Sequence, residues 1–162
     1  MAVEFARIDD RLLHGQVVTT WLKTLQLEQC IVVNSAVAKD SFQQQLLEMA
    51  APEDLRLVFF SPEELAQAVL ENPIKRRTML LFNHPRDVLH LIQLGYKLDS
   101  LNIGGMKNDG KKRQITKAVA VNEEDTALLK AIVDTGIPVT IQMVPADNAV
   151  SFEKAMNKIP EK

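Results

Sequence analysis

The chain has 162 residues, 46% hydrophobic and 25% charged, with a net charge of −2 at pH 7. Such a length suits one domain, residues 1–162, built on a single core, and the near-neutral balance supplies no basic field for nucleic acid. The lone cysteine, Cys30 in the apolar run QCIVV, rules out an internal disulfide and reads as a small core residue.

The N-terminus, MAVEFARIDD, is charged by its fourth residue and so lacks the apolar segment of a signal peptide. No apolar run approaches the roughly 20 residues that span a bilayer. The expectation is a soluble, cytoplasmic protein that reaches any membrane process by docking to a partner.

In chain order, VEFARI is the first predicted strand, and QVVTTWLKTL follows as a helix with Val17, Val18, Trp21, Leu22 and Leu25 on one face. CIVVN is a second strand, continuously apolar. Asp40 or Ser41 can cap a helix over FQQQLLEMA, which Pro52 stops. LRLVFF is a third strand. In SPEELAQAVLEN, Ser61 is the N-cap, Pro62 takes the first helical position and Glu64 stands three residues after the cap, a strong helix start. RTMLLF, then PRDVLHLIQLG, repeat the strand-helix pattern, the helix ending at Gly95. SLNIGG is a fifth strand, and GKKRQITKAVAV reads as short extended segments round a turn. NEEDTALLKAIVDTG is a helix from Asn122 to Gly136, IPVTIQMV a last strand, and NKIPEK a frayed tail.

Strands with little polar alternation, joined by amphipathic helices, indicate an α/β fold: a doubly wound, mostly parallel open sheet with helices on both faces. Function in such sheets gathers beyond the carboxyl ends of the strands.

The stretch RIDDRLLHGQV sits at that edge. If strand one ends near Ile8, His14 stands just before a helix whose first amides, from Gly15, Gln16 and Val17, favour an anion. Gly15 allows close backbone approach, and Arg11 can fork two hydrogen bonds onto phosphate oxygens. A nucleophilic imidazole, a guanidinium and a ring of amides suit a phosphoryl group carried on histidine. Asp9 or Asp10 can hold Arg11 or fix the imidazole tautomer; the order of residues does not separate them.

Other candidates are weaker. NIGGMKNDGKKR matches neither GxGxxG nor GxxxxGK[ST], so a nucleotide site is unsupported, and it is either a strand end with a turn or a wall of the active cleft or of the partner-docking surface. Lys107, Lys111, Lys112 and Arg113 form a basic cluster that is a solvated turn, faces an acidic partner or helps attract phosphate. His84 and His90 read as structural, Trp21 as a core anchor, and no residue spacing suggests a metal.

RIDDRLLHGQV with Trp21, IVVNSAVAKD, LNIGGMKNDGKKRQITKAVAV and VTIQMVPAD together resemble, in order and over about the whole chain, the enzyme IIB proteins of the mannose/fructose/sorbose family of the sugar phosphotransferase system. The resemblance implies that His14 accepts a phosphoryl group on Nδ1 from a phosphorylated IIA protein or domain. It then delivers that group to a sugar entering through the membrane IIC/IID components. It implies Arg11 as the arginine beside the phosphoryl group and no cofactor. Asp9 and Asp10 match the family's acidic pair, with roles assigned from chemistry. One departure is Ser35 after Asn34, where the family commonly has an acidic residue, which weakens a carboxylate role there. A homo-oligomer is compatible with the sequence.

Two alternatives stand beside this. A signalling receiver domain shares the fold and an acidic pair but needs an aspartate after strand three, where this chain has Ser61. A regulator derived from a phosphotransferase would keep the fold and lose transport.

Overall fold

The computed structural model describes residues 3–158. Its main sheet has seven strands: β1 (Val3–Asp9), β2 (Gln29–Val33), β3 (Arg56–Phe60), β4 (Thr78–Phe82), β5 (Leu101–Gly105), β8 (Val139–Ile141) and β9 (Val150–Ser151). Their order is β3-β2-β4-β1-β5-β8-β9, parallel throughout except for β9, which runs antiparallel to β8. Two short strands, β6 (Arg113–Gln114) and β7 (Ala120–Val121), pair antiparallel beside it, the segments expected round a turn. The helices are α1 (Gly15–Leu25), α2 (Ser35–Ala38), α3 (Ser41–Ala50), α4 (Pro62–Glu71), α5 (Pro85–Gln93), α6 (Glu123–Asp134) and α7 (Phe152–Asn157). The expected doubly wound α/β sheet is observed.

The unbroken apolar runs follow from burial on both faces of each central strand. Cys30, Val32, Met79 and Leu81 face one side, with Val18 and Leu22 of α1, Val37 of α2 and Leu47 of α3. Ile31, Val33, Leu80 and Phe82 face the other, with Leu65 of α4, Val88 and Leu91 of α5, Leu129 and Ile132 of α6 and Phe152 of α7. The sheet therefore divides the expected single core into two layers. Cys30 is fully buried, and burial pushes its thiol far above the usual range, as suits a packing residue.

Helix starts are where composition predicts them. Ser61 and Glu64 form a complete capping box, as do Asn122 and Asp125, and Asp40 caps α3 through the Gln43 amide. Three elements escape the sequence reading: α2, which is one turn long, and β9 with α7, where Ser151 ends the strand and caps the helix. Asn157, expected to fray, belongs to α7, while residues 159–162 lie outside the described residues. The last long strand is three residues, and just beyond it the Gln142 carbonyl accepts from side chains of β1 and β5.

His84 caps α5. Its Nδ1 accepts from the Arg86 amide at 3.0 Å, and its Nε2 lies 3.4 Å from Oδ1 of the buried Asp125, whose Oδ2 is 3.0 Å from Lys112 Nζ. Burial, then the Arg86 charge, lower the His84 pKa against the opposing carboxylates of Asp125, Glu124 and Asp87. The unfolded chain thus takes up this proton first, so the His84 contribution to stability is present above the ordinary imidazole pKa and lost as pH falls through the folded one. We expect the melting temperature to drop more steeply between pH 7 and 5 in the wild type than in His84→Asn, whose amide still caps the helix. Parallel melting curves would contradict this. Asp87, raised by burial, works in the opposite sense, gaining stability as pH falls, which is why the comparison is made between the two proteins.

Candidate active site at the carboxyl edge of the sheet

Residues 9 to 14 leave β1 at the carboxyl edge and turn back over it. The Leu12 amide bonds the Asp9 carbonyl at 2.9 Å, and Leu12 takes a positive φ of 59°, a conformation costing a non-glycine residue about 1 kcal/mol or more. Leu12 and Leu13 are buried in the α1-side layer and hold the turn down. Gly15, at φ 46°, opens α1 where other residues would be strained. His14 occupies the N-cap position in extended backbone, and its side chain does not cap the helix. Gln16 starts the first turn, but its side chain lies outside the described residues.

This turn brings His14 onto Asp9. His14 Nε2 is 2.8 Å from Asp9 Oδ2, with the imidazole 19% exposed and the carboxylate fully buried. An ionised carboxylate only accepts, so Nε2 carries the proton and donates it. In the neutral imidazole Nδ1 is then the lone pair, and it has no hydrogen-bond partner among the described residues. Asp9 Oδ1 accepts the Arg11 amide at 3.1 Å and lies 3.8 Å from Arg11 Nε. The Arg11 side chain is 57% exposed, and its two terminal nitrogens make no hydrogen bond among the described residues.

Asp10 does something else. Its Oδ2 accepts the Lys107 amide at 2.6 Å, and its own amide bonds the Gly105 carbonyl, so it ties the turn to the end of β5. Of the acidic pair, then, Asp9 meets the imidazole and Asp10 does not. The segment after β5 forms the wall of a cleft of about 400 Å³ lined by Asp10, Arg11, Met106, Lys107, Gln114 and Lys117. Larger hollows of about 480 and 750 Å³ surround Arg113, Lys130 and Met156 and share no lining residue with this cleft. The basic cluster is divided: Lys107 faces the cleft, whereas Lys112 pairs with Asp125 and Arg113 donates to the Met156 carbonyl. Ser35 is exposed, next to Asn34, which caps α2. Ser61, where a receiver domain needs its aspartate, is spent on capping α4.

One contributor escapes the sequence reading. Arg7, fully buried in the middle of β1, donates from Nη2 to Asp9 Oδ2 at 3.2 Å. Its signal was available: residues two apart on a strand share a face, so an arginine two before an aspartate in an apolar run points at the same layer. Trp21 lies under this group, with Arg7 Cζ 5.6 Å from its ring centroid and its Nε1 donating to the Met143 carbonyl at 2.8 Å.

A family model described as "PTS system sorbose subfamily IIB component" matches residues 3–162. The chain belongs to that phosphotransferase-system IIB family. Among its relatives, this IIB protein is 32% identical over 160 residues to the fructose-specific EIIB component of Bacillus subtilis strain 168, covering 98% of both chains. It is 36% identical over 161 residues to the mannose-specific EIIAB component of Escherichia coli strain K12, covering 98% of this chain and 50% of that longer one. Its fold superposes on the crystal structure of the IIBSor domain of the Klebsiella pneumoniae sorbose permease with a TM-score of 0.90 at 34% identity, over 99% of each chain. IIB components are sugar-specific phosphotransferases, and this protein is one of them. No described helix of this IIB component is long and apolar enough to cross a membrane.

Proposed function

We propose that this IIB component, residues 1–162 acting as one domain, is a histidine phosphocarrier whose acceptor is His14. It takes a phosphoryl group from a phosphorylated IIA protein or domain and passes it to a hexose or related sugar presented by membrane IIC/IID components. It works in the cytoplasm and docks at the inner face of the membrane. The observation that carries the reading is the imidazole with Nε2 held by buried Asp9 and Nδ1 without a hydrogen-bond partner among the described residues, beside the exposed side chain of Arg11. The Escherichia coli relative, whose name joins IIA and IIB in one chain, supports a IIA partner.

In the first step the Nδ1 lone pair attacks phosphorus, the bond from phosphorus to the donor's imidazole nitrogen breaks, and that electron pair leaves with the donor. The proton on Nε2 stays on Asp9's hydrogen bond, so no proton crosses the site. In the second step a sugar hydroxyl oxygen attacks, its proton passes to a base outside this chain, and the pair returns to Nδ1. The donor already holds its phosphoryl group on nitrogen, so the reaction draws on no nucleotide. Arg11 and the first amides of α1, including Gly15 and Gln16, meet the charge on the equatorial oxygens.

The test is transfer from phosphoenolpyruvate through the general phosphotransferase proteins and a IIA. Acid-labile label that appears on this chain only when IIA is present is the expected result. No label on folded protein, with IIA shown to be phosphorylated, would overturn the reading and favour a regulator that has lost transfer. Arg11→Lys should slow transfer about 10- to 100-fold, because an ammonium cannot supply the two-pronged contact. Wild-type rates in that variant would remove Arg11 from the site.

A further inference from the structure

We propose that Arg7 is a positioning residue for phosphoryl transfer: it fixes the Asp9 carboxylate, and through it the orientation of the His14 ring. The proposal rests on His14 being the acceptor.

Both terminal nitrogens of the guanidinium are engaged. Nη1 donates to Asn102 Oδ1 at 2.7 Å and to the Gln142 carbonyl at 3.2 Å, and Nη2 donates to Asp9 Oδ2 at 3.2 Å. Asn102 is itself steadied by donating Nδ2 to the same Gln142 carbonyl at 3.1 Å. Trp21, stacked on Phe5 with centroids 4.5 Å apart, lies beneath the guanidinium within cation-π range. The space above it exists because Gly104 has no side chain: a Cβ there would overlap the guanidinium. The β1–β5 register shifts at this point, Ile8 pairing with Ile103 and Asp9 with Gly105, so Gly104 is the extra residue of a bulge opposite the Ile8–Asp9 step.

Stability alone does not explain this arrangement. The Arg7 charge is fully buried, and its Nε–H has no acceptor among the described residues. Apolar side chains would fill the same volume at lower cost. The arrangement does supply orientation. The same Asp9 oxygen, Oδ2, accepts from Arg7 and from His14, so the carboxylate cannot rotate without breaking its bond to the guanidinium. That holds the Nε2–H inward and Nδ1 toward the open edge, and small displacements of a reacting group are expensive in rate.

The experiment compares wild type, Arg7→Met and Arg7→Lys. In ¹⁵N-labelled protein, at a pH where His14 is neutral and well below the melting temperature, the wild-type His14 Nε2–H should give a resonance protected from water exchange. In Arg7→Met we expect that protection to be lost. We also expect kcat for transfer from phospho-IIA to fall about 10- to 100-fold with KM little changed, and part of the product to carry phosphate on Nε2. Arg7→Lys keeps the charge without the fork and should fall between the two. If Arg7→Met does not fold, Asn102→Ala, which loosens the guanidinium and keeps its charge, carries the same readouts. Wild-type protection, kcat and phosphate position in a variant that merely melts earlier would overturn the proposal. If the wild type accepts no phosphoryl group, the phosphocarrier reading fails, while Nε2–H exchange still decides whether Arg7 orients the ring.

Discussion

His14→Ala should accept no phosphoryl group from phospho-IIA, while its melting temperature stays within about 2–4 °C of the wild type. The loss is complete because the other two histidines are engaged elsewhere, His84 as the α5 cap and His90 3.1 Å from Glu63 between α5 and α4. The stability change is small because the His14 side chain does not cap α1 and, among the described residues, hydrogen-bonds only to Asp9, an interaction worth about 1 kcal/mol net. Asp9 keeps Arg7 and the Arg11 amide as partners when the imidazole is gone. Mass spectrometry under conditions that spare phosphohistidine, with circular dichroism on the same samples, checks both halves. Stoichiometric label on the alanine variant would place the acceptor elsewhere.

Asp9→Ala should be the most destabilising change at the site. It removes the one carboxylate paired with the buried Arg7 charge, leaving the guanidinium only neutral acceptors on Asn102 and Gln142. Breaking one side of a buried pair costs about 3–5 kcal/mol, or roughly 6–20 °C in melting temperature for a chain of this size. Transfer should fall as well, since the ring loses its anchor. The double variant Asp9→Ala with Arg7→Met separates the two losses. Removing the charge along with its partner should recover much of the stability, with transfer still impaired, because contacting residues do not act additively. Losses that simply add would show that Arg7 and Asp9 are energetically independent, contrary to their contact.

Much of this was open to a reader of the chain alone. Sheet and helices follow from runs such as CIVV and MLLF and from caps such as Ser61 and Asn122, because burial period and capping are local properties. The charged turn was visible as charge where a turn would ordinarily use small polar residues. The short elements α2, β9 and α7 were not, since one helical turn or two strand residues carry too little periodicity.

Within the site, the residue types at 7 to 14 by themselves determine that a histidine, two arginines and two aspartates lie where a strand hands over to a helix. Which aspartate serves the histidine is a tertiary matter. Asp9 is the last residue of β1 and faces the α1 layer with Arg7, while Asp10 has left the strand and turns to Lys107. The Arg7 clamp is equally non-local: its partners Asn102 and Gln142 stand 95 and 135 residues along the chain. Sheet order brings them together, because β1 lies beside β5 and β5 beside β8, and no local pattern of residues records which strands become neighbours.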